Sequence, residues 1–310
     1  MTGRSKLPVQ RAIPGVPRRV EVAVVGAGPA GLACAVQLAR QGLRAVVLEK
    51  DRPGGQIASA NLVENYLGLN RLPGAELARL FVRHALNAGV RIVQAEVLKI
   101  SGAGPFLVRT SRGEFRVRAV VAASGAVPNE LEGAPGAVDY SARNLQDFRG
   151  KQVMIIGSGD AAFDRALGIA PVAASVRILC RGKSSALPVL VERCRRAGIP
   201  VVQDTGEIEI RFPGPAFEFR TARGIYKASR LVASIGKKAE TSFLPWPLEA
   251  LRPAHPSGHT TVPGLYVIGD LAGGERYLSV ATGMGVAAAM HAGRFLEGKV
   301  HRSRGASSWK

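Results

Sequence analysis

Many hydrophobic residues of this chain fall into short runs that are followed by turns containing glycine. Residues 20–25 form the first run, and "RAVVLE" at residues 44–49 forms the next. Such runs are typical of parallel strands that are buried on both faces, because an exposed face would favour alternating polar residues. With the helical stretch between them, they predict a complete βαβ unit over residues 18–50.

The same pattern returns later in the chain. Residues 153–156 are apolar, the following stretch is helical up to Pro171, and "SVRILCR" at residues 175–181 is the next strand. A further apolar strand, "PGLYVIGD" at residues 263–270, precedes a helix rich in glycine and alanine. These elements predict an α/β fold with two Rossmann-like dinucleotide-binding domains.

The first glycine turn has the spacing of a dinucleotide site. Gly26, Gly28 and Gly31 match G-x-G-x-x-G, in which the first glycine permits the tight turn, the second lets a pyrophosphate approach, and the third lets the helix pack on the strand. The helix N-terminus directs free N–H groups at the phosphates. Glu49 ends the second strand, where a carboxylate can accept hydrogen bonds from ribose hydroxyls.

The second turn repeats this spacing with a different ending. Gly157, Gly159 and Ala162 give G-x-G-x-x-A, and the next strand ends in Arg181, with Lys183 close behind. A cation at the strand end suits the 2′-phosphate of NADP better than the free 2′-hydroxyl of NAD. We therefore expect NADP, with NAD possible.

Two complete turns predict two bound dinucleotides. In a redox enzyme the natural pair is FAD, held permanently, and a nicotinamide dinucleotide that visits, with a hydride passing directly between them. We assign no catalytic side chain, because this transfer needs none and no Ser-His-Asp or paired-carboxylate arrangement stands out. The histidines are spread along the chain and are interpreted as surface or packing residues: His84, His255, His259, His291 and His301.

Composition and charge narrow the class further. The chain has 310 residues, 46% hydrophobic and 21% charged, as expected for two globular domains. Its formal net charge of +19 creates a field that attracts acidic partners. No basic motif with interleaved aromatic residues points to nucleic acid. The proline-broken basic residues 1–18 are interpreted as a flexible arm and residues 301–310 as a basic tail.

The cysteines and the lack of long apolar runs indicate the compartment. Cys34, Cys180 and Cys194 are too few for a disulfide framework, so they suggest a reducing compartment and no metal site. No apolar run is long enough to span a bilayer, and no signal-peptide pattern is present. We expect a soluble cytoplasmic protein without a membrane partner.

From about residue 20 to residue 296 the chain resembles the low-molecular-weight thioredoxin reductases and their relatives among the pyridine-nucleotide–disulfide oxidoreductases. The stretches that carry the resemblance beyond the glycine turns are "GGQIASANLVENYLG", "VVAASGAVPNEL", "LVASIGKKAE" and "GLYVIGDLAGGERYLSVATGMGVAAAMHAGRFL". The resemblance implies FAD, a nicotinamide dinucleotide and a homodimer. It also implies that Gly55, Gln56 and Asn65 lie against the flavin and that Asp270 binds its ribityl or pyrophosphate region.

The turns and the resemblance together define the candidate cofactor-binding positions. These are Gly26, Gly28, Pro29, Ala30, Gly31, Glu49, Lys50, Gly55, Gln56, Asn65, Val97, Ser124, Gly125, Gly157, Gly159, Asp160, Ala161, Arg181, Lys183, Gly236, Gly269, Asp270, Arg276, Tyr277 and Leu278. The implied organisation is a discontinuous FAD-binding domain, residues 19–130 and 240–300, with an NAD(P)-binding domain, residues 131–239, inserted into it.

One departure from the thioredoxin reductases decides the functional prediction. Where that family carries a redox Cys-x-x-Cys, residues 140–144 read "YSARN" and contain no sulfur. One branch lacks this disulfide, the thioredoxin-reductase-like ferredoxin or flavodoxin NADP reductases, and residues 138–164 are similar to its corresponding stretch. Ferredoxins and flavodoxins are acidic, which suits the basic charge. We therefore predict electron transfer between NAD(P)H and an acidic one-electron carrier through the flavin.

Two alternatives stay open from the sequence. One is a related flavoprotein with another acceptor, such as a partner disulfide, a quinone or a small molecule. The other is a flavoprotein sensor with a decayed nicotinamide site. The second alternative has some support, because "CRGKSSALP" keeps only Arg181 of the family's usual arginines and "IGKKAE" lacks the usual proline.

Overall fold

A computed structural model describes residues 20–132, 138–204, 206–212, 214–251 and 255–298. Two compact units divide the chain: the first comprises Met1–Ile57, Glu76–Ala126 and Ala239–Lys310, and the second comprises Ala58–Ala75 and Val127–Lys238. The expected basic arm and basic tail lie outside the described residues. None of the described helices is long and apolar enough to cross a membrane.

The helices and strands are numbered in chain order. They are β1 (Val22–Val25), α1 (Pro29–Arg40), β2 (Ala45–Glu49), α2 (Gly74–Asn87), β3 (Arg91–Gln94), β4 (Val97–Ser101), β5 (Phe106–Thr110), β6 (Gly113–Val117), β7 (Ala119–Ala122), β8 (Ala126–Pro128), β9 (Val138–Asp139), β10 (Gln152–Ile156), α3 (Asp160–Ile169), β11 (Ser175–Arg181), α4 (Pro188–Arg196), β12 (Val201–Asp204), β13 (Glu209–Arg211), β14 (Phe217–Thr221), β15 (Gly224–Ala228), β16 (Arg230–Ala233), β17 (Lys237–Ala239), β18 (Leu265–Val267) and α5 (Leu278–Leu296).

The first unit is built on a five-stranded sheet in the order β18-β7-β1-β2-β3, with every neighbouring pair parallel. Helices α1 and α5 pack on one face, and the antiparallel strands β4, β5 and β6 cover the other. A Cβ added at Gly285 would lie 2.3 Å from the Ala30 carbonyl oxygen, so small residues allow α1 and α5 to cross in close contact. This explains why α5 is rich in glycine and alanine.

The second unit repeats the plan. Its five strands run in the order β12-β11-β10-β16-β9, all parallel. One face packs against α3 and α4, and the antiparallel strands β13, β14 and β15 lie on the other. In both sheets the strand order changes direction beside the strand that precedes the glycine turn, which is where such folds bind dinucleotides.

The predicted strands agree with the observed ones to within two residues for the first βαβ unit and match β11 in full. Helix α3 ends at Ile169, just before Pro171 as expected. The segment Ala58–Ala75 groups with the second unit, although it lies within residues 19–130, for which the sequence predicts the FAD-binding domain. Within that unit, the Asn61 N–H donates to Asp164 Oδ2 (2.8 Å), and Glu64 forms a bidentate ion pair with Arg193 of α4.

Candidate dinucleotide sites

Two glycines of the first turn are required by the protein's own packing. Gly26 has φ +103°, and a Cβ there would lie 2.4 Å from the carbonyl oxygen of Ala123. A Cβ at Gly31 would lie 2.0 Å from the carbonyl oxygen of Gly26. Neither position accommodates a side chain, because backbone atoms already occupy the space.

Gly28 differs from its two neighbours in the motif. Its φ of −77° and ψ of −179° are open to any residue, and a Cβ would have only Gly55 Cα near it, at 3.9 Å. Helix α1 begins immediately afterwards, with no side-chain cap and no acidic residue in its first turn. Free space beside uncapped N–H groups is the arrangement that a pyrophosphate requires. The turn therefore fits FAD.

Glu49 stands at the end of β2 in the position expected for a ribose-binding carboxylate. Its Oε2 accepts a hydrogen bond from the Ala27 N–H (2.7 Å), and its Oε1 accepts one from the Asp51 N–H (2.9 Å). These bonds fix the carboxylate, and each oxygen keeps a lone pair that can accept from a hydroxyl. Lys50 follows, half exposed and 3.8 Å from Glu240.

Other predicted flavin residues gather around the same edge of the sheet. The Gln56 amide donates to the Ala126 carbonyl oxygen, and the Ser124 hydroxyl donates to the Glu240 carbonyl oxygen (2.8 Å). The Gly125 carbonyl oxygen accepts from the Glu240 N–H at 3.2 Å. These bonds tie the residues that follow β7 to Gln56, before α2, and to Glu240, after β17.

The loop after β18 reaches this edge from the other side. Gly269 has φ +66°, and a Cβ there would lie 2.9 Å from Ala30 Cβ, so the turn that carries Asp270 lies against the start of α1. Helix α5 begins at Leu278 with exposed Tyr277 at its N-cap and no capping side chain. This second uncapped helix start belongs to the same unit as the first.

Two other predicted positions belong to other elements of the fold. Val97 opens β4 in the antiparallel layer and is buried in the core beneath the sheet. Asn65 is exposed on the segment Ala58–Ala75, which belongs to the second unit.

The second glycine turn divides its glycines in the same way. Gly157 has φ +155°, and a Cβ there would lie 2.5 Å from the carbonyl oxygen of Ser234. Gly159 has an extended backbone with φ −99°, and its nearest neighbour would be Ser185 Oγ at 3.8 Å. No side chain caps α3. Gly159 is therefore the position at which a second pyrophosphate can approach.

The loop after β11 is fastened to this turn. The Leu187 N–H donates to Asp160 Oδ1 (2.8 Å), and the Ser185 N–H and Ser184 hydroxyl donate to the Ser158 carbonyl oxygen (2.8 and 3.1 Å). The two serines were not predicted, since nothing in their local sequence marks them. They hold the loop that follows Arg181 close to the start of α3. Arg181, at the end of β11, and Lys183, in the loop, are both exposed. Gly236 lies against Asn129, whose N–H donates to its carbonyl oxygen at 3.0 Å.

Substitution of Arg181 tests the proposed 2′-phosphate contact. We expect Arg181→Ala to raise the Kd for NADP+ about ten- to a hundredfold and to leave the Kd for NAD+ nearly unchanged, because a charge-assisted bond to phosphate contributes about 1.5–3 kcal/mol. Isothermal titration calorimetry with both nucleotides measures the difference. Equal losses for the two nucleotides would show that Arg181 acts on the loop and not on the phosphate.

The cysteines carry no sign of redox chemistry. All three are free and buried, and burial raises the pKa of each thiol, that of Cys194 to about 11. Cys180 Sγ donates to the Gly157 carbonyl oxygen (3.3 Å), and Cys194 Sγ donates to the Phe163 carbonyl oxygen (3.6 Å). A thiol that stays protonated and lies in a core is a poor nucleophile.

Residues 139–142 form a closed turn just after β9. Asp139 Oδ1 accepts hydrogen bonds from the N–H groups of Ser141 and Ala142, both at 2.7 Å. The Tyr140 hydroxyl oxygen accepts from the Leu131 N–H at 2.9 Å. An aspartate that accepts from the N–H groups two and three residues ahead forms an Asx turn, which fixes the backbone locally.

Three of the histidines that are spread along the sequence meet in the first unit. Ser257 Oγ lies 2.9 Å from Nδ1 of both His255 and His259. The ring of His259 stacks on His291 at 4.8 Å, and His291 Nδ1 lies 3.0 Å from the Tyr266 hydroxyl. No group of three metal-ligating side chains among the described residues could hold a metal ion. The cluster is therefore a packed polar network.

This histidine cluster predicts acid sensitivity. Burial lowers the pKa of His291 from 6.5 to about 4, with help from His259, Arg294 and His255, and burial also lowers the pKa of His259. Because the unfolded chain binds more protons between these values, stability should fall as the pH drops from 6.5 towards 4, by about 1–3 kcal/mol after allowance for partial exposure. Urea midpoints across that range should decline more steeply in the wild type than in His291→Gln. The matched control His84→Gln, at an exposed position of α2, should keep the wild-type slope, and identical slopes in all three proteins would contradict the assignment.

Two parallel sheets, each with a glycine turn of the dinucleotide-binding kind, place this chain among the α/β proteins that have two dinucleotide-binding domains. The chain belongs to the pyridine nucleotide-disulphide oxidoreductase family, whose profile matches residues 20–293. FAD and NADP(H) are the cofactors of this family and its relatives. The family, the fold class and the two cofactors predicted from the sequence are thereby confirmed.

Individual relatives carry two kinds of name. The ferredoxin--NADP reductase of Granulibacter bethesdensis is 32% identical in a 291-residue alignment that covers 81% of this chain and 81% of that one. The thioredoxin reductases of Ureaplasma parvum and Bacillus subtilis are each 31% identical, over 64% and 52% of this chain, which spans only 65% and 54% of their lengths. Among solved structures, the thioredoxin reductase of T. acidophilum is similar with a TM-score of 0.81 and 27% identity, covering 90% of this chain and 98% of that one.

Proposed function

We propose that this protein is an FAD-dependent NAD(P)H oxidoreductase that exchanges electrons with an acidic one-electron carrier, such as a ferredoxin or flavodoxin, without an internal disulfide. The observation that carries the proposal is the absence of sulfur at residues 140–144, together with three cysteines that are all buried and whose thiol pKa values burial raises. Electrons have no thiol relay in this chain. They must leave directly from the flavin.

In this proposal the first unit holds FAD and the second holds the nicotinamide dinucleotide. When bound, FAD supplies two-electron chemistry towards a nicotinamide and one-electron chemistry towards a carrier. Around it, Gly28 and the start of α1 leave room and N–H donors for the pyrophosphate, and Glu49 is fixed to accept from the ribose. Gly159 and Arg181 serve the second dinucleotide in the same two roles of phosphate approach and ribose-end recognition.

The nature of the partner follows from charge. A net charge of +19 raises the encounter rate with an acidic protein and disfavours a basic one. The Granulibacter relative is named for ferredoxin, and a relative from Clostridium pasteurianum, 31% identical over 52% of this chain, is named for a rubredoxin operon. Both names support a small electron-carrier protein as the partner. We infer a cytoplasmic homodimer as the working form.

The experiment compares carrier reduction by the wild type and by a Cys34→Ala, Cys180→Ala, Cys194→Ala triple variant. We expect NADPH-driven reduction of a ferredoxin or flavodoxin by both proteins at similar rates. Raising the salt from about 0.01 M to 0.15 M shortens the screening length from roughly 30 Å to 8 Å, so carrier reduction should slow while flavin reduction by NADPH changes less.

Other outcomes separate the alternatives. Loss of carrier reduction in the triple variant with FAD still bound would reveal a thiol relay. Reduction of a thioredoxin disulfide but of no one-electron carrier would favour a thioredoxin-reductase-like activity. Bound flavin that neither NADPH nor NADH can bleach would leave a flavoprotein without nicotinamide chemistry.

A further inference from the structure

Arg165 is a charged residue in the apolar part of the second unit, and it has no role in the function proposed above. It lies in the second turn of α3, between the buried residues Phe163 and Ala166. Its Nη1 donates to the carbonyl oxygen of Ala233 at 3.1 Å and to Ser234 Oγ at 2.5 Å. The guanidinium therefore sits at the carboxyl end of β16.

Among the described residues, no carboxylate forms an ion pair with Arg165. Burial lowers the pKa of its guanidinium, and the carboxylates of Asp139 and Asp164 oppose this only through space. Asp139 Oδ1 is committed to the turn at residues 139–142, and Asp164 accepts from the Asn61 N–H. Among the described residues, its hydrogen bonds go only to a carbonyl and a hydroxyl oxygen. A half-buried guanidinium that forms no ion pair costs free energy, and a bound anion would offset that cost.

The position of Arg165 indicates which anion. In an α/β sheet of this order the dinucleotide crosses the edge where the strand order reverses, here between β10 and β16. Arg181 ends β11, on the side of β10 that receives the adenosine half. Arg165 reaches the end of β16, on the other side of β10 from Arg181. Its partner Ser234 lies against the glycine turn, because the Ser234 carbonyl oxygen would be 2.5 Å from a Cβ added at Gly157. A helical side chain leans towards the helix N-terminus, which carries the guanidinium towards the phosphate-binding end.

We propose that Arg165 binds the nicotinamide half of NADP(H), pairing with the phosphate on that side, so that Arg165 and Arg181 hold opposite halves of one dinucleotide. The inference rests on the proposed use of a nicotinamide dinucleotide by the second unit. It accounts for the sparse arginines after β11, because part of the charge that recognises the cofactor comes from α3 instead.

Three probes of increasing length test the assignment by calorimetry, without any turnover. Adenosine 2′,5′-bisphosphate carries only the adenosine half, 2′-phospho-ADP-ribose adds the second phosphate and ribose, and NADP+ is complete. We expect Arg165→Met to raise the Kd for the two longer probes about ten- to a hundredfold and to leave the bisphosphate within about twofold. Arg181→Ala should weaken all three probes.

Two further variants keep the test decisive. Arg165→Lys retains the charge without the planar fork, so it should weaken the longer probes less than Arg165→Met does and should serve alone if the methionine variant does not fold. Arg196→Ala is the matched control, since it removes one positive charge of the same unit from an exposed ion pair with Glu192. It should change none of the three affinities by more than about twofold.

The outcomes separate this inference from the function beneath it. If the wild type binds NADP+ and the Arg165 variants weaken all three probes equally, or none of them, Arg165 is structural and the inference is overturned alone. If the wild type binds none of the probes, nicotinamide use by the second unit falls, and this inference falls with it. Selective weakening of the longer probes supports both.

Discussion

Gly28→Val is expected to give a folded protein that is colourless. A Cβ at Gly28 would meet no atom closer than Gly55 Cα at 3.9 Å, and the extended backbone at Gly28 suits any residue, so the fold should tolerate the change. The same side chain fills the space beside the uncapped start of α1 that the pyrophosphate needs. With charge-assisted bonds to phosphate contributing about 1.5–3 kcal/mol each, the loss of two of them weakens FAD binding by at least about a hundredfold.

The flavin absorbance per mole of protein and the thermal melt measure this result together. Gly31→Val is the matched comparison, because its Cβ would lie 2.0 Å from the Gly26 carbonyl oxygen and the fold itself should fail. A Gly28→Val protein that keeps its full flavin content would place the FAD pyrophosphate away from this turn. A variant as unstable as Gly31→Val would mean that Gly28 serves packing.

Gly159→Val is expected to give a yellow protein in which NADPH reduces the flavin far more slowly than in the wild type. A Cβ at Gly159 would meet only Ser185 Oγ, at 3.8 Å, so the second unit should fold, while the valine side chain closes the approach to the start of α3. The first unit is unchanged, and its flavin content should equal that of the wild type. We expect the rate of flavin reduction by NADPH to fall at least about a hundredfold, for the same loss of phosphate contacts.

Anaerobic absorbance spectroscopy checks this result, with dithionite as the control reductant. Dithionite should bleach the flavin of Gly159→Val as it does in the wild type, which shows that the flavin stays competent. The two valine variants also control for each other, since one should lose the flavin and the other only its reduction by nicotinamide. Wild-type bleaching of Gly159→Val by NADPH would contradict the assignment of this turn.

The fold was predictable to a large extent because its signals are local. The apolar runs of β1, β2 and β11 and the helix stop at Pro171 can each be recognised from neighbouring residues, and a short apolar run bounded by turn residues is typical of a buried parallel strand. The antiparallel layers, β4–β6 and β13–β15, left no such signal and were not predicted. Their role depends on the sheet that they cover, which is distant in sequence.

The candidate site was predictable in its outline and not in its details. Glu49 and Arg181 could be assigned because a strand end is a fixed place in such sheets. Ser184, Ser185 and Arg165 could not, since their partners, Ser158 and Ser234, lie 26 to 69 residues away along the chain. Likewise His255, His259 and His291 meet only because β18 and α5 pack together.

The sequence by itself determined that this protein has two dinucleotide turns, parallel sheets around them and no redox disulfide, because spacing, strand periodicity and the absence of paired cysteines are properties of the chain. Only the tertiary structure decided what each glycine does. Gly31 and Gly28 look alike in the motif, but one faces the backbone of Gly26 and the other faces open space. Packing between distant segments decides which atoms lie opposite a residue. Only these tertiary contacts distinguish a glycine that is needed for packing from one that leaves room for a ligand.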